Sequence, residues 1–521
     1  MRLDRGEAAP DVLAQQPARV RLVMDLVADA DEMGAARRGL QARDRVVRAG
    51  AREVDPADDA GDEAGAGGEG EEVARLGLAR LCLHDDAARD AGVAQERGEV
   101  LGREGASDRR HGIPLHPREV PARGVPEMMM RVDRDVPHCA FLPLAAMMLA
   151  PRAAAFQFRG RAAPGERPAM FAYVGSFTTP DRAGSGRGIE VYRVDPADGG
   201  LVHLQTVGGM DNPSFLALSR DQRVLYAVHG GRDYASAYAL DPATGLARPL
   251  GRASTGGTNG VKQDIDRAGR FMLVANYVSG NLAVLGIRAD GALADHHDLL
   301  HFAGELGPHR VEQARPQPHD VVLDPTGGYA IVPDKGLDTV FVLRFDADKG
   351  RAGLHRAVRA RPGAGPRHVA FHPTLPMAYV CNELDSTVTA MRWDAAAGEL
   401  VQMQVLSSLP EDFFGANTTS ELDVARDGRF LRCSNRGHDS VVTYAIDPAS
   451  GRLCTAGWTA TGGAEPRFVC SDPAGRFFYA ANQNSHSIVV FAIDAATGRL
   501  SPTGRTVATG SPVSIVFAGG A

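Results

Sequence analysis

Lysine, asparagine, threonine, tyrosine and tryptophan are absent from the first 169 residues of this 521-residue chain, which hold one isoleucine (Ile113) and one serine (Ser107). A folded domain of that length samples every residue type. Acidic, glycine-rich stretches such as DPADDAGDEAGAGGEGEE supply no apolar core. The absence predicts that 1–169 is an Ala/Arg/Gly/Asp/Glu-rich extension of one of two kinds. It is either a disordered tail, or GC-rich DNA read in a frame or direction that does not code, with Met170 the real start. The helix-like run RVRLVMDLVADADEMGAARRGL does not alter this, because such patterns arise easily in Ala/Arg/Leu-rich text.

Other absences narrow the function. The chain has no basic surplus; its net charge of −7 argues against a nucleic-acid surface. The apolar run AFLPLAAMMLA, at 140–150, is too short to span a bilayer. It resembles a signal peptide only if translation begins at an internal Met. No membrane partner is therefore expected, and the expected location is cytoplasmic, with export the lesser alternative. Cys82, Cys139, Cys381, Cys433, Cys454 and Cys470 form no CxxC and no metal-binding spacing. Cys381 and Cys433 fall in strand-like runs, where a reduced thiol acts as a small hydrophobe. His296, His297, His301 and His309 read as solvated histidines of a long loop, without ligand spacing. Neither a metal nor a cofactor is expected.

What is present, from Met170 on, is one pattern repeated about seven times. Clear copies read PHDVVLDPTGGYAIVPDKGLDTVFVLRFD from Pro318, PRHVAFHPTLPMAYVCNELDSTVTAMRWD from Pro366, SELDVARDGRFLRCSNRGHDSVVTYAID from Ser420 and PRFVCSDPAGRFFYAANQNSHSIVVFAID from Pro466. Looser copies start at Pro213 and Asn259, and a split copy joins SPVSIVFA at the C-terminus to FAYVGSFTT and GIEVYRVD near Met170. A period of about 40–50 residues with several short strands per unit indicates a β-propeller. The expected fold is all-β: residues 170–521 form a seven-bladed β-propeller of four-stranded antiparallel blades, strands A to D. Strand A follows the Pro-Arg or Pro-His, a D-P-x-G turn leads to strand B, and a polar turn leads to strand C. An AATG-type turn then leads to a weak strand D.

In such a meander the entry to strand A and the B–C turn share one face, and the A–B and C–D turns share the other. The unusual polar residues gather on the first face. His319, Arg367, His368, Glu421 and Arg467 enter strand A; Asn276, Tyr277, Asp334, Lys335, Asn382, Glu383, Asn435, Arg436, His438, Asn482 and Gln483 stand at B–C turns. A concave mouth ringed by His, Arg, Glu and Asn is a candidate active site. Blander roles are open for several of these. Asn276 and Asn482 suit turn formers; Asp334, Asp385 and Asp439 suit backbone ties; Arg467 and Glu421 suit a blade-to-blade ion pair. Arg367 is expected to be partly exposed, with no buried partner.

The strings GPRHVAFHP, YVCNELDSTV, DGRFLRCSNRGHDSVVTYAID and PRFVCSDPAGRFFYAANQNSHSIVVFAID resemble the seven-bladed β-propeller lactonase family. That family includes the propeller-type 6-phosphogluconolactonase and the fungal 3-carboxy-cis,cis-muconate lactonizing enzyme. The resemblance runs from Met170 to the end. It implies metal-free hydrolysis or formation of a lactone, with catalytic residues falling on His319, Arg367, Glu383 and Arg436. His368, Asn382, Asn435, Arg467 and Asn482 are expected to bind substrate, an acidic sugar lactone, in a monomer or weak homodimer. His319 or Glu383 could act as base, and the arginines could hold a phosphate or carboxylate. A muconate-type cyclase and a non-catalytic binding propeller are the other function classes. The chain departs from the family's pattern at Gln317 and Lys262, each standing where a His is usual.

Overall fold

The computed structural model describes residues 44–48 and 169–520. The expected propeller occupies 169–520, so the reading of 1–169 lies outside the described residues save for a short strand at Asp44–Arg48. That strand, not anticipated from the sequence, pairs in parallel with Leu293–Ala303. Among the described residues no helix is long and apolar enough to cross a membrane.

Seven sheets, each with four antiparallel strands of the repeat, form the ring. Blade 1 joins Pro512–Gly519 as strand A to Met170–Ser176, Ile189–Val194 and Leu201–Val207 as strands B, C and D. Blades 2 to 7 follow in chain order over 213–254, 260–303, 322–359, 366–407, 418–460 and 466–508. The C-terminal strand thus completes the first blade and leaves no open end between blades 7 and 1.

Burial explains why the units close into a ring. Strand B is buried throughout in most blades (VLYAVH, YAIVPD, MAYVCN, FLRCSNR, FFYAAN), whereas strand D alternates and faces solvent. One sheet cannot bury both faces of strand B. Seven apolar clusters do so, one at each interface between neighbouring blades; for instance, Phe171 and Tyr173 of blade 1 pack with Leu225 and Tyr238 of blade 2. Strand D, expected to be weak, is a full strand of 7–11 residues in each blade.

The face carrying the D-P-x-G and ATG turns is structural. Strand-B tyrosines reach across to the next blade: Tyr173, Tyr226, Tyr379 and Tyr479 each donate to the carbonyl of the C–D turn glycine, Gly245, Gly291, Gly451 and Gly199, at 2.8–3.0 Å. Gly245 has φ +73°, and a Cβ there would run into the Phe171 ring, which explains the glycine. His297 does similar work through Gly350. His296, His297 and His301 lie in strand D of blade 3, not in a loop, and only His309 is exposed on the connection that follows. The loop assignment is thereby corrected for three of the four.

Candidate active site

The mouth is built by a recurring defect in strand A. In blade after blade, the register between strands A and B slips by one residue at the mouth end: Pro213/Phe215, Pro366/His368 and Pro466/Phe468 bracket the slip in blades 2, 5 and 7. Blades 1, 3 and 6 slip at the corresponding place. Such a bulge leaves one residue unpaired and re-aims its side chain. The bulged positions are Val513, Ser214, Val261, Arg367, Ser420 and Arg467 in blades 1, 2, 3, 5, 6 and 7. In blade 4, Pro318 bridges Asp334 and the ladder resumes only at Val322, which frees His319 for the same place. All of these except Ser420 line an open cavity of about 680 Å³ that includes its mouth.

A second set comes from strand B. It ends at His229, Asn276, Asp334, Asn382 or Asn482 in blades 2, 3, 4, 5 and 7, with the next residue beginning the B–C turn; in blade 6 the matching position is Asn435 and the strand runs one residue further, to Arg436. Successive side chains point opposite ways, so the two have opposite duties. The first of the two turns back into the scaffold. Asn382 donates to Thr387 and Thr389, Asn435 to the Ser408 carbonyl and Ser440, and Asn482 to the Thr461 carbonyl. The Asp334 carboxylate accepts from the Gln317 and Leu337 amides, and Asn276 donates to the Thr255 carbonyl. The following residue faces the cavity, as Tyr277, Glu383 and Arg436 do. The structure therefore does not bring Asn382, Asn435 or Asn482 to the cavity, which corrects their placement among substrate-binding residues. His319, Arg367, His368, Glu383, Arg436 and Arg467 all line it.

Glu383 is the hub. Its Oε2 accepts from Arg367 Nε at 2.8 Å and lies 3.3 Å from Arg436 Nη2 and 3.9 Å from His319 Nε2. Its Oε1 accepts from Lys335 Nζ at 3.2 Å, and Lys335 also bonds Glu312 at 2.7 Å. Arg367 Nη1 donates to the Ser420 carbonyl and Arg436 Nη2 to the Thr419 carbonyl, which anchors both guanidiniums to blade 6. Arg367 is 2% exposed, so the expected partly exposed, unpartnered arginine is instead a buried member of a network.

Below this layer, the residues after the bulges form another cluster. Lys262 Nζ lies 3.0 Å from Asp320 and 3.5 Å from Glu421, and His368 Nδ1 lies 3.0 Å from Glu421 Oε1. His368 Nε2 is 3.1 Å from Arg367 Nη1. A proton on Nδ1 directed at Glu421 leaves Nε2 to accept from the arginine, a neutral tautomer that satisfies both contacts. Glu421 is thus tied to Lys262 and His368, not to Arg467.

The charges follow from these contacts. Burial alone would raise the Glu383 carboxyl, but Arg436, Lys335 and Arg367 outweigh it and hold the carboxyl well below its ordinary range. Burial, reinforced by Arg367, pushes His319 well below the usual imidazole range; burial with Arg367 and Lys262 does the same to His368. Burial raises Asp320 to about 6, with Lys262 opposing the rise. At neutral pH the mouth holds an ionised Glu383, neutral imidazoles and fixed cations. His319 packs edge-on against Tyr277 at 5.2 Å, and its Nδ1 is buried without a partner among the described residues.

Residues 171–517 match the model of the family described as lactonase, 7-bladed beta-propeller. The chain belongs to the seven-bladed β-propeller lactonase family. The 6-phosphogluconolactonase of Bacillus subtilis is 32% identical over 304 residues, covering 58% of this chain and 84% of that one. The 6-phosphogluconolactonase of Formosa agariphila is 30% identical over 315 residues, covering 58% and 86%. Among solved structures, a periplasmic gluconolactonase of Pseudomonas aeruginosa is 34% identical with a TM-score of 0.62, covering 68% of this chain and all of its own. As a member of this lactonase family the protein is an enzyme of the lactonase class.

Sequence reasoning missed several cavity residues of this lactonase. Phe177 and Arg182 sit on the long B–C connection of blade 1, and Asn259 precedes strand A of blade 3. Asp320, the buried neighbour of His319 that pairs with Lys262, lies behind the cavity wall and is likewise not singled out by the sequence. A positional signal finds two of them: Phe177 follows the strand-B terminus and Asp320 is the second residue after Pro318.

Proposed function

We propose that this cavity hydrolyses a sugar lactone, 6-phosphogluconolactone to 6-phosphogluconate, by attack of water at the channel mouth without a metal. The observation that carries the reading is the neutral His319 imidazole, 3.9 Å from Glu383 and beside two arginines that Glu383 holds in place. That gap is too long for a direct hydrogen bond and fits one bridging water. The names of the relatives support the substrate class.

In this scheme His319 Nε2 takes a proton as the water oxygen bonds to the lactone carbonyl carbon. The new imidazolium is stabilised by Glu383, and the oxyanion by Arg367 and Arg436. Collapse breaks the bond from the carbonyl carbon to the ring oxygen, and the leaving alkoxide recovers the proton from His319. Glu383 is a poor base, since accepting a proton would remove the counter-ion that Arg367, Arg436 and Lys335 share; it orients. Among the described residues no group of three His, Cys, Asp or Glu side chains is placed to hold a metal, and the fixed cations occupy the role a Lewis acid would play. A cytoplasmic setting goes with this reading, Cys381 and Cys433 being buried free thiols.

The test is turnover of enzymatically generated 6-phosphogluconolactone, above the uncatalysed rate, beside carboxymuconate and with and without prolonged EDTA treatment. The reading predicts lactone hydrolysis that EDTA leaves unchanged. A loss restored by Ca²⁺, Zn²⁺ or Mg²⁺ removes the metal-free scheme, and turnover of carboxymuconate alone would move the protein to the lactonizing enzymes.

A further inference from the structure

The arginines of the mouth are not equivalent. Arg367 and Arg436 are paired to Glu383, and Lys262 and Lys335 have carboxylates of their own in Asp320 and Glu312. Arg467 makes no ion pair among the described residues, and no described atom accepts a hydrogen bond from its guanidinium. It rests on the Phe177 ring, 5.2 Å from the centroid. Arg182 approaches the same ring at 5.6 Å, and its Nη2 donates to Asn259 Oδ1 at 3.0 Å, again without a carboxylate partner. Both line the cavity.

We propose that Arg467 and Arg182, arranged about Phe177, form an anion subsite separate from the Glu383 cluster, which selects lactones carrying a phosphate or carboxylate away from the reacting carbonyl. This rests on the lactonase reading and deepens it. Charge balance supports it. The cavity walls carry Arg182, Arg367, Arg436 and Arg467 against Glu383 and Glu421, a local excess of two positive charges on a chain whose net charge is −7. Burial, together with Arg367 and Arg436, already disfavours the Arg467 charge, so an incoming anion relieves an existing repulsion. The fork geometry of guanidinium suits a bidentate oxyanion. The two arginines come from adjacent blades, 7 and 1, so this subsite exists only because the C-terminal strand closes the ring.

The experiment compares 6-phosphogluconolactone with neutral gluconolactone in the parent, Arg467→Ala, Arg467→Lys and Arg182→Ala. Loss of a charge-assisted contact should lower the ratio of kcat/KM for the phosphorylated over the neutral lactone by about 10- to 100-fold in Arg467→Ala. The change should reside in KM, with part of it regained by Arg467→Lys and a smaller effect in Arg182→Ala. An equal fall on both lactones overturns the subsite. Direct titration with 6-phosphogluconate, gluconate and a dicarboxylic sugar acid decides the point even if no lactone is turned over. Binding of the phosphorylated or dicarboxylic ligand that weakens in Arg467→Ala supports the subsite; unchanged binding overturns it. Which of the two ligands binds tighter identifies the anion.

Discussion

The bulged positions around the mouth differ sharply between two arcs of the same ring. In blades 1 to 3 they hold Val513, Ser214 and Val261; in blades 4, 5 and 7 they hold His319, Arg367 and Arg467. The cavity-facing position at the end of strand B or the start of the B–C turn repeats the contrast, with Phe177, Gly230 and Tyr277 on one arc and Lys335, Glu383 and Arg436 on the other. Backbone geometry is shared, so it cannot be the source of activity. The fold supplies near-equivalent outlets into one cavity, and chemistry lies in the outlets where the repeat is broken by a charge. The uncharged outlets shape one wall; the charged outlets other than Arg467 form a single network through Glu383.

Removing the hub should break the comparison most. Glu383→Gln leaves Arg367, Arg436 and Lys335 without a common counter-ion. We expect a stability loss of about 3–5 kcal/mol in denaturant unfolding, and turnover lower by about 10³-fold or more in the folded fraction. Arg367→Ala comes next. Its burial and its bonds to Glu383 and the Ser420 carbonyl predict a rate loss of about 10²–10³. They also predict a stability cost of about 2–4 kcal/mol, larger than a mouth-exposed arginine would show. Asn435→Ala should separate scaffold from site. Its bonds to Ser408 and Ser440 are worth about 1–3 kcal/mol of stability, while turnover of folded enzyme stays within about threefold. Ser214→Ala, on the quiet arc, should change rate and stability least, by under about 0.5 kcal/mol. A rate loss there comparable to that of Arg367→Ala would erase the distinction between the arcs.

Much of this was legible from the sequence, and the physical reasons are specific. Seven copies of a four-strand pattern, with the first copy split between the two ends, fix ring closure. Alternation of turn types sorts residues to the two faces, and this places His319, Arg367, His368, Glu383, Arg436 and Arg467 around one mouth. What the sequence hides is the sense in which adjacent residues point. Asn382 and Glu383 are neighbours at one turn, yet one braces the backbone and the other faces the cavity. On strand A the direction depends on a bulge whose only trace is the Pro two residues before Phe215, His368 or Phe468. Pairing is hidden as well: Glu421 suits Arg467 by charge, but the ring brings Lys262 and His368 to it instead. Phe177 and Arg182 sit on a connection longer than its counterparts, where the repeat offers no register to align.

The central claim is that a neutral His319, poised by the Glu383 network, takes the proton from water. The pH dependence of kcat/KM for 6-phosphogluconolactone, in the parent and in His319→Ala, tests it most directly. Burial lowers the folded pKa of His319, so the base-competent form persists below the ordinary value of about 6.5. The acid limb should therefore have its midpoint below that value. His319→Ala should lose about 10²–10⁴ in rate, and the limb should vanish from what remains. A folded His319→Ala enzyme with a near-parent rate and an unchanged acid limb would contradict the account.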